Sequence, residues 1–203
     1  MKSVKVIVIV IAVLLVIFGT IACSAVPKEL ALKGENVNVT FKGKSESLGE
    51  LREVTVIRPG ISFAPEKIYP ISRKQASWGT PEDAMRSVFS ANKADDPNWI
   101  IENFAPNEQN TTKILLEDKD ARNANKKFFD NGDYYSIKYD VQFWTSDYRI
   151  LIIQFPSLEN FSPFVFKQTS DGWKQTNDIQ EYDTMKIIFQ ASISGQITEK
   201  VVS

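Results

Sequence analysis

Asn131-Gly132-Asp133-Tyr134-Tyr135-Ser136-Ile137-Lys138-Tyr139-Asp140-Val141-Gln142-Phe143 is the stretch on which the fold turns. Before Gly132 the apolar residues recur at helical spacing. After it they recur every second residue: Tyr135, Ile137, Tyr139, Val141 and Phe143 alternate with Ser136, Lys138, Asp140 and Gln142. A period of two puts alternate side chains on opposite faces of a strand. Asn131-Gly132 stops the preceding helix, because glycine takes the backbone conformation that ends one.

Working upstream, Trp78-Gly79-Thr80-Pro81-Glu82-Asp83 reads as a helix start. Thr80 is an N-cap, Pro81 suits the first helical position, and Glu82 and Asp83 favour the positive helix end. Ala84, Met85, Val88 and Phe89 share one face of that helix. Asp95-Asp96-Pro97 opens a shorter helix carrying Trp99, Ile100, Ile101 and Phe104, and a third is expected from Thr112 to Asp130. Downstream, strands are expected at Tyr148–Phe155, Phe164–Thr169 and Trp173–Thr176. Met185–Ile193 reads as a fifth, although Ile187, Ile188 and Ala191 also fit a helix. Helices followed by consecutive antiparallel strands mean α+β. Ahead of them, residues 27–76 form a β-rich lead-in, with Val37, Val39 and Phe41 alternating and Glu53–Ile57 a second strand. That lead-in would form a small subdomain or add strands to the main sheet.

The first two dozen residues decide location. Lys2 and Lys5 precede an unbroken apolar run from Val6 to Phe18, and no charge follows Lys5 until Lys28. A basic end, an apolar run and small residues are the layout of an export signal, so the rest of the chain is expected outside the cytoplasm. Three outcomes fit residues 1–26. Thr20-Ile21-Ala22-Cys23 resembles the bacterial lipobox, with Thr20 where leucine is usual, and that resemblance implies lipidation of Cys23. Val6–Val26 is also about 21 residues long, enough to span a bilayer of roughly 30 Å as an uncleaved anchor. Cleavage near Ser24 or Ala25 would release a soluble protein. Cys23 is the single cysteine of the chain, so no internal disulfide forms.

Composition removes several functions. Of 203 residues none is histidine. This excludes Ser-His-Asp and Cys-His catalysis and leaves most zinc sites without a ligand. With Lys2 and Lys5 removed, 22 basic residues face 25 acidic ones, about −3 net. No concentrated basic surface for nucleic acid is expected. There is no glycine-rich phosphate loop, metal-ligand spacing or nucleophile elbow, and no cofactor or metal is expected. The Asn-X-Ser/Thr triplets at Asn38, Asn110 and Asn160 read as chance behind a bacterial-type signal.

Two stretches carry a family likeness. Thr80-Pro81-Glu82-Asp83-Ala84 through Phe89, Ala91 and Asp96 to Trp99 and Phe104 is similar to the opening helices of the nuclear transport factor 2-like (ketosteroid-isomerase-like, cystatin-like fold) superfamily. Thr169-Ser170-Asp171-Gly172-Trp173-Lys174 resembles its acidic-Gly hairpin with a Trp-Lys pair. The likeness covers roughly residues 77–193, within a domain taken as 77–203. It implies N-terminal helices on a curved antiparallel sheet, together forming a cone around a cavity. In enzymes of the family that cavity holds an acid/base group and a tyrosine, while many members only bind or dimerise.

The residues weighed for a site are few. Tyr135 and Tyr139 fall on the apolar face, as core residues whose hydroxyls would reach a pocket; Asp140 falls on the polar outer face. Trp144, on a polar face, and Trp78, at a domain edge, are candidate binding surfaces. Asp118, Lys119, Asp120 and Arg122 read as a solvated helix face. The expected function is a non-catalytic, envelope-anchored protein whose domain binds a protein partner or small ligand. Two alternatives stand beside it: a carboxylate/tyrosine isomerase or hydratase acting in the cavity, and a dimerising scaffold of an envelope or secretion assembly. The expected partners are the membrane, through the N-terminal segment, and an envelope protein or a second copy.

Overall fold

The computed structural model of the chain describes residues 30–32, 37–44, 51–58, 66–143, 147–178 and 183–201. Eight strands form one sheet in the order β7-β6-β5-β4-β1-β3-β2-β8. These are β1 (Leu30–Leu32), β2 (Val37–Lys44), β3 (Leu51–Arg58), β4 (Ser136–Phe143), β5 (Tyr148–Gln154), β6 (Ser162–Thr169), β7 (Gly172–Gln175) and β8 (Ile197–Val201). Each neighbouring pair is antiparallel except β1 with β3. The lead-in therefore adds strands to the main sheet. β1, only 3 residues long, lies between β4 and β3, with Leu30 beside Phe143 and Ala31 beside both Gln142 and Ile57.

Among the described residues five α-helices accompany the sheet: α1 (Pro81–Lys93), α2 (Pro97–Glu102), α3 (Gln109–Glu117), α4 (Lys119–Phe129) and α5 (Asp183–Ser194). The Thr80 hydroxyl accepts from the Asp83 amide at 3.1 Å and Asp96 caps α2 through the Trp99 amide, as their positions in the sequence predict. The single helix expected over Thr112–Asp130 is two. Asp118 takes an extended backbone (φ −75°, ψ 114°), and its carboxylate accepts from the Asp120 and Ala121 amides, ending α3 and starting α4. An aspartate that satisfies orphan amides at a helix start competes with helix continuation.

Met185–Ile193 is helical, not a strand. Met185, Ile187, Ile188, Phe189 and Ala191 are buried in α5, and the final strand is β8, a few residues later. A short, almost wholly apolar run has no clear period, so tertiary packing decides it. Gly43 of β2 permits that packing: a Cβ there would lie 3.0 Å from the Ile187 carbonyl oxygen.

Both faces of the sheet bury apolar side chains. On one, Ala84, Met85, Val88 and Phe89 of α1 and Phe129 of α4 meet Tyr135, Leu151, Ile153, Phe164 and Phe166. On the other, Met185, Ile188, Phe189 and Ala191 of α5 meet Val39, Phe41, Tyr139, Val141, Ile150 and Ile152. This explains β5: Ile150, Leu151, Ile152 and Ile153 in succession serve two cores, as in a strand covered on both sides.

Candidate functional site

The alternation that identified β4 breaks inside the strand. Ile137 pairs with Ile153, yet Tyr139 pairs with Ile152, so the register shifts by one residue at Lys138. A bulge of this kind reverses which face every later side chain takes. Tyr135 and Ile137 face α1; Tyr139 and Val141 face α5. Asp140 consequently does not lie on a polar outer face. It is buried beside Leu151, on the side covered by α1.

There Asp140 meets Arg149 of β5. The guanidinium Nε donates to Asp140 Oδ1 at 2.7 Å, and Nη2 donates to Oδ2. The pair is therefore two-pronged, and both side chains are 8% exposed. Nη2 also reaches Glu82 Oε1 of α1 at 3.4 Å, and the guanidinium carbon lies 6.0 Å from the centre of the Trp173 ring. Planar guanidinium matches carboxylate geometry, which makes this a strong class of charge-assisted bond. Arg149 was not singled out from the sequence, and Glu82 only as a helix-start residue. The signal was an arginine inside the otherwise apolar run Tyr148–Ile153, since a charge in a two-sided core needs a partner.

Tyr135 lies fully buried on the same face, its ring edge-on to Phe89 at 5.0 Å. Its hydroxyl has no hydrogen-bond partner among the described residues. Burial pushes its pKa well above the ordinary tyrosine value, with Arg86 pulling the other way and Glu82 and Asp83 adding to the rise. Phe89, Phe129, Phe155 and Phe164 close around one another on this face at ring distances of 5.9–6.5 Å. Tyr139 looks to the opposite core. Its hydroxyl donates to Glu199 of β8, its ring packs edge-on to Phe41 at 5.9 Å, and Lys138 lies 3.6 Å from the same carboxylate. The structure thus separates the two tyrosines that alternation had put together.

Trp78 is half-buried in a polar lattice joining α1, α2 and β7. Its indole N–H donates to Asn103 Oδ1 at 2.8 Å. The same oxygen accepts from Ser87 at 2.7 Å, and Ser87 Oγ accepts from the Trp99 indole at 2.8 Å. Lys174 Nζ lies 3.9 Å from the centre of the Trp78 ring and donates to the Glu102 carbonyl at 2.9 Å. Burial lowers the Lys174 pKa, against an upward pull from Glu102 and Asp171. The hairpin glycine belongs to this lattice too. Gly172 has φ +91°, and a Cβ there would stand 2.4 Å from the Trp78 carbonyl oxygen. Trp144 and Cys23 lie outside the described residues.

Arg122 on α4 reaches Asp95 with two bonds of 2.9 Å, so the charge run on that helix also fastens α4 to the turn after α1. Among the described residues no group of three or more acidic or cysteine side chains is placed to hold a metal. No described helix is long and apolar enough to cross a membrane; the Val6–Val26 run lies outside them. One surface feature sits at the start of β4. Tyr69, 50% exposed, packs against Tyr134 at 5.7 Å, and Lys67 Nζ lies 4.7 Å over the Tyr134 ring. The Ile68–Tyr135 bridge, with N–H···O bonds of 2.8 and 3.1 Å, holds that segment in place. No family model, curated protein or solved structure matches the chain.

Proposed function

We propose that this chain is a non-catalytic, membrane-tethered protein of the cell envelope, whose cone-shaped domain of the nuclear transport factor 2-like type binds a protein partner or small ligand. The observation that carries the reading is the Asp140–Arg149 pair. A general base must direct a free lone pair at a substrate proton. Here the carboxylate buried in the sheet is bound through both oxygens to a guanidinium and is only 8% exposed, which leaves a substrate proton little approach to it. The absence of histidine and the phenylalanine packing around Tyr135 support the same reading. Exposed Tyr69, packed on half-buried Tyr134, supplies the kind of aromatic surface that interfaces favour.

A second reading, a tyrosine-assisted isomerase or hydratase, rests on the unpartnered Tyr135 hydroxyl, because an orphan buried polar group calls for an explanation. The two readings part on one experiment. The full chain is purified from its own membranes at native abundance, and co-purifying proteins and small molecules are quantified beside a Tyr69→Ala, Tyr134→Ala variant and a Tyr135→Phe variant. Stoichiometric recovery of one partner, reduced about tenfold or more by the surface pair and unchanged by Tyr135→Phe, is the expected result, since ~1.4 kcal/mol at an interface is tenfold in affinity. A small molecule lost only in Tyr135→Phe and chemically altered by the wild type would replace it with the enzyme.

A further inference from the structure

Asn131-Gly132 is the one Asn-Gly pair of the chain, and the fold needs each residue for its own reason. A Cβ on Gly132 would stand 2.6 Å from Pro156 Cδ and 2.9 Å from the Tyr134 carbonyl oxygen, so the turn between α4 and β4 has room only for glycine. Asn131 caps α4. Its side-chain Nδ2 donates to the Phe128 carbonyl at 2.8 Å and to the Lys127 carbonyl at 3.3 Å, acceptors of the kind that a helix end leaves unmet. Ser157, in the turn after β5, donates through Oγ to the Asn131 carbonyl and pins the peptide that joins Asn131 to Gly132. The Gly132 N–H is engaged by no group among the described residues.

We infer that Asn131 is a site of spontaneous conversion to aspartate and isoaspartate, and that the end of α4 sets its rate. The Gly132 nitrogen attacks the side-chain Cγ of Asn131. A new N–C bond forms, the Cγ–Nδ2 bond breaks, and ammonia leaves with the Gly132 proton. Water then opens the cyclic imide at either carbonyl, giving aspartate, or isoaspartate in which the chain runs through Cβ and Cγ. Glycine favours the attack because no Cβ crowds its nitrogen. In the closed fold the Asn131 carboxamide is turned back over the last turn of α4, and Ser157 fixes the peptide plane that carries the nucleophile. Both must turn before nitrogen and Cγ meet. The reaction therefore runs through local opening of the helix end.

The product does not fit the place of the asparagine. Aspartate has an oxygen where the amide had a donor, so a carboxylate is set against the Lys127 and Phe128 carbonyls, at the negative end of α4. Acidic neighbours are already there: Asp130 and Asp133 each lie 3.8 Å from Lys93, and Lys126 is bonded to Asp130 at 2.6 Å. Isoaspartate also adds a methylene to the backbone just ahead of the Ile68–Tyr135 bridge. Because ammonia is lost, the change is one-way, and it leaves α4 without its cap.

The test incubates the full chain in mildly alkaline buffer, native and in urea, and follows each asparagine by peptide mass mapping. The amide-to-acid mass gain is the readout, which isomerisation at Asp171-Gly172 does not produce. In urea Asn131 is expected to convert ahead of every other asparagine. In the native chain it is expected to convert at least about tenfold more slowly, a ratio set by the free energy of opening the helix end. Ser157→Ala is expected to speed the native reaction about fivefold, the factor carried by a hydrogen bond of ~1 kcal/mol, and to leave the rate in urea unchanged. Native and urea rates that coincide, or a folded Ser157→Ala chain that converts at the wild-type rate, overturn the control by α4. An Asn131 that stays intact in urea while other asparagines convert overturns the site. Asn131→Asp, made directly, is expected to quicken hydrogen exchange in the last turn of α4; unchanged exchange there overturns the role of the amide as its cap.

Discussion

Tyr135 is a phenol with nothing to donate to among the described residues, held against Phe89 in the core. An unmet buried donor costs about 1–3 kcal/mol, so Tyr135→Phe is expected to stabilise the protein by about 1 kcal/mol in urea titrations. Its pKa adds a pH signature. In the folded chain burial holds the phenol protonated well above its ordinary value of 10.0. Above pH 10 the unfolded chain therefore releases a proton that the folded chain keeps, and stability falls as pH rises. Melting temperatures measured from pH 9 to 11.5 should drop less steeply in Tyr135→Phe than in the wild type; parallel slopes would show that the phenol ionises freely in the fold. Arg149 presents the opposite case. Arg149→Leu leaves Asp140 buried without its cation and should cost 3–5 kcal/mol, about the range for a broken buried pair. Adding Asp140→Leu should recover much of that loss, because replacing both charges removes the uncompensated one. A double-mutant cycle by chemical denaturation reads both numbers.

At the level of elements, the β6–β7 turn is fixed by contact with a distant backbone. Gly172→Ala must find room for a methyl group beside the Trp78 carbonyl while keeping φ +91°. The expected loss is 2 kcal/mol or more, about the sum of a strained backbone and a displaced neighbour. It should be accompanied by a change in tryptophan fluorescence, since the turn sits on Trp78. How much of the architecture was legible follows element by element. The caps at Thr80 and Asp96, the switch to period two after Gly132 and the Asp171–Gly172 turn are local signals, and the local structure honours them. The break at Asp118 was written in the same vocabulary and passed over, because the apolar pattern on either side continues in phase. α5 and the β4 bulge were not legible. Whether Met185–Ile193 coils or extends depends on Gly43 making room for it, and the slip at Lys138 depends on where β5 finds its partners. One slipped residue carried Asp140 from the expected surface into the core, and with it the ion pair from which the candidate site is built.

For the molecule as a whole, β1 joins two sets of strands that no other described strand pairing connects: β4 to β7 on one side, and β3, β2 and β8 on the other. Ala31→Pro removes a backbone donor at the centre of that seam. It is expected to lower stability by about 2 kcal/mol through a lost bond and an orphaned partner. Hydrogen exchange should quicken in β3 and β4 together; an effect confined to one of them would mean that the seam is not shared. The outermost pairing, β8 on β2, bears on how such a chain is made. Phe41 finds Ile197, and Val37 finds Val201, only after more than about 150 further residues have been synthesised. Contacts of such long sequence separation are slow to form and late to pay back their loop entropy. A β2 edge that waits so long for β8 stays open to other strands in the meantime, and is where intermolecular pairing during folding is expected to begin.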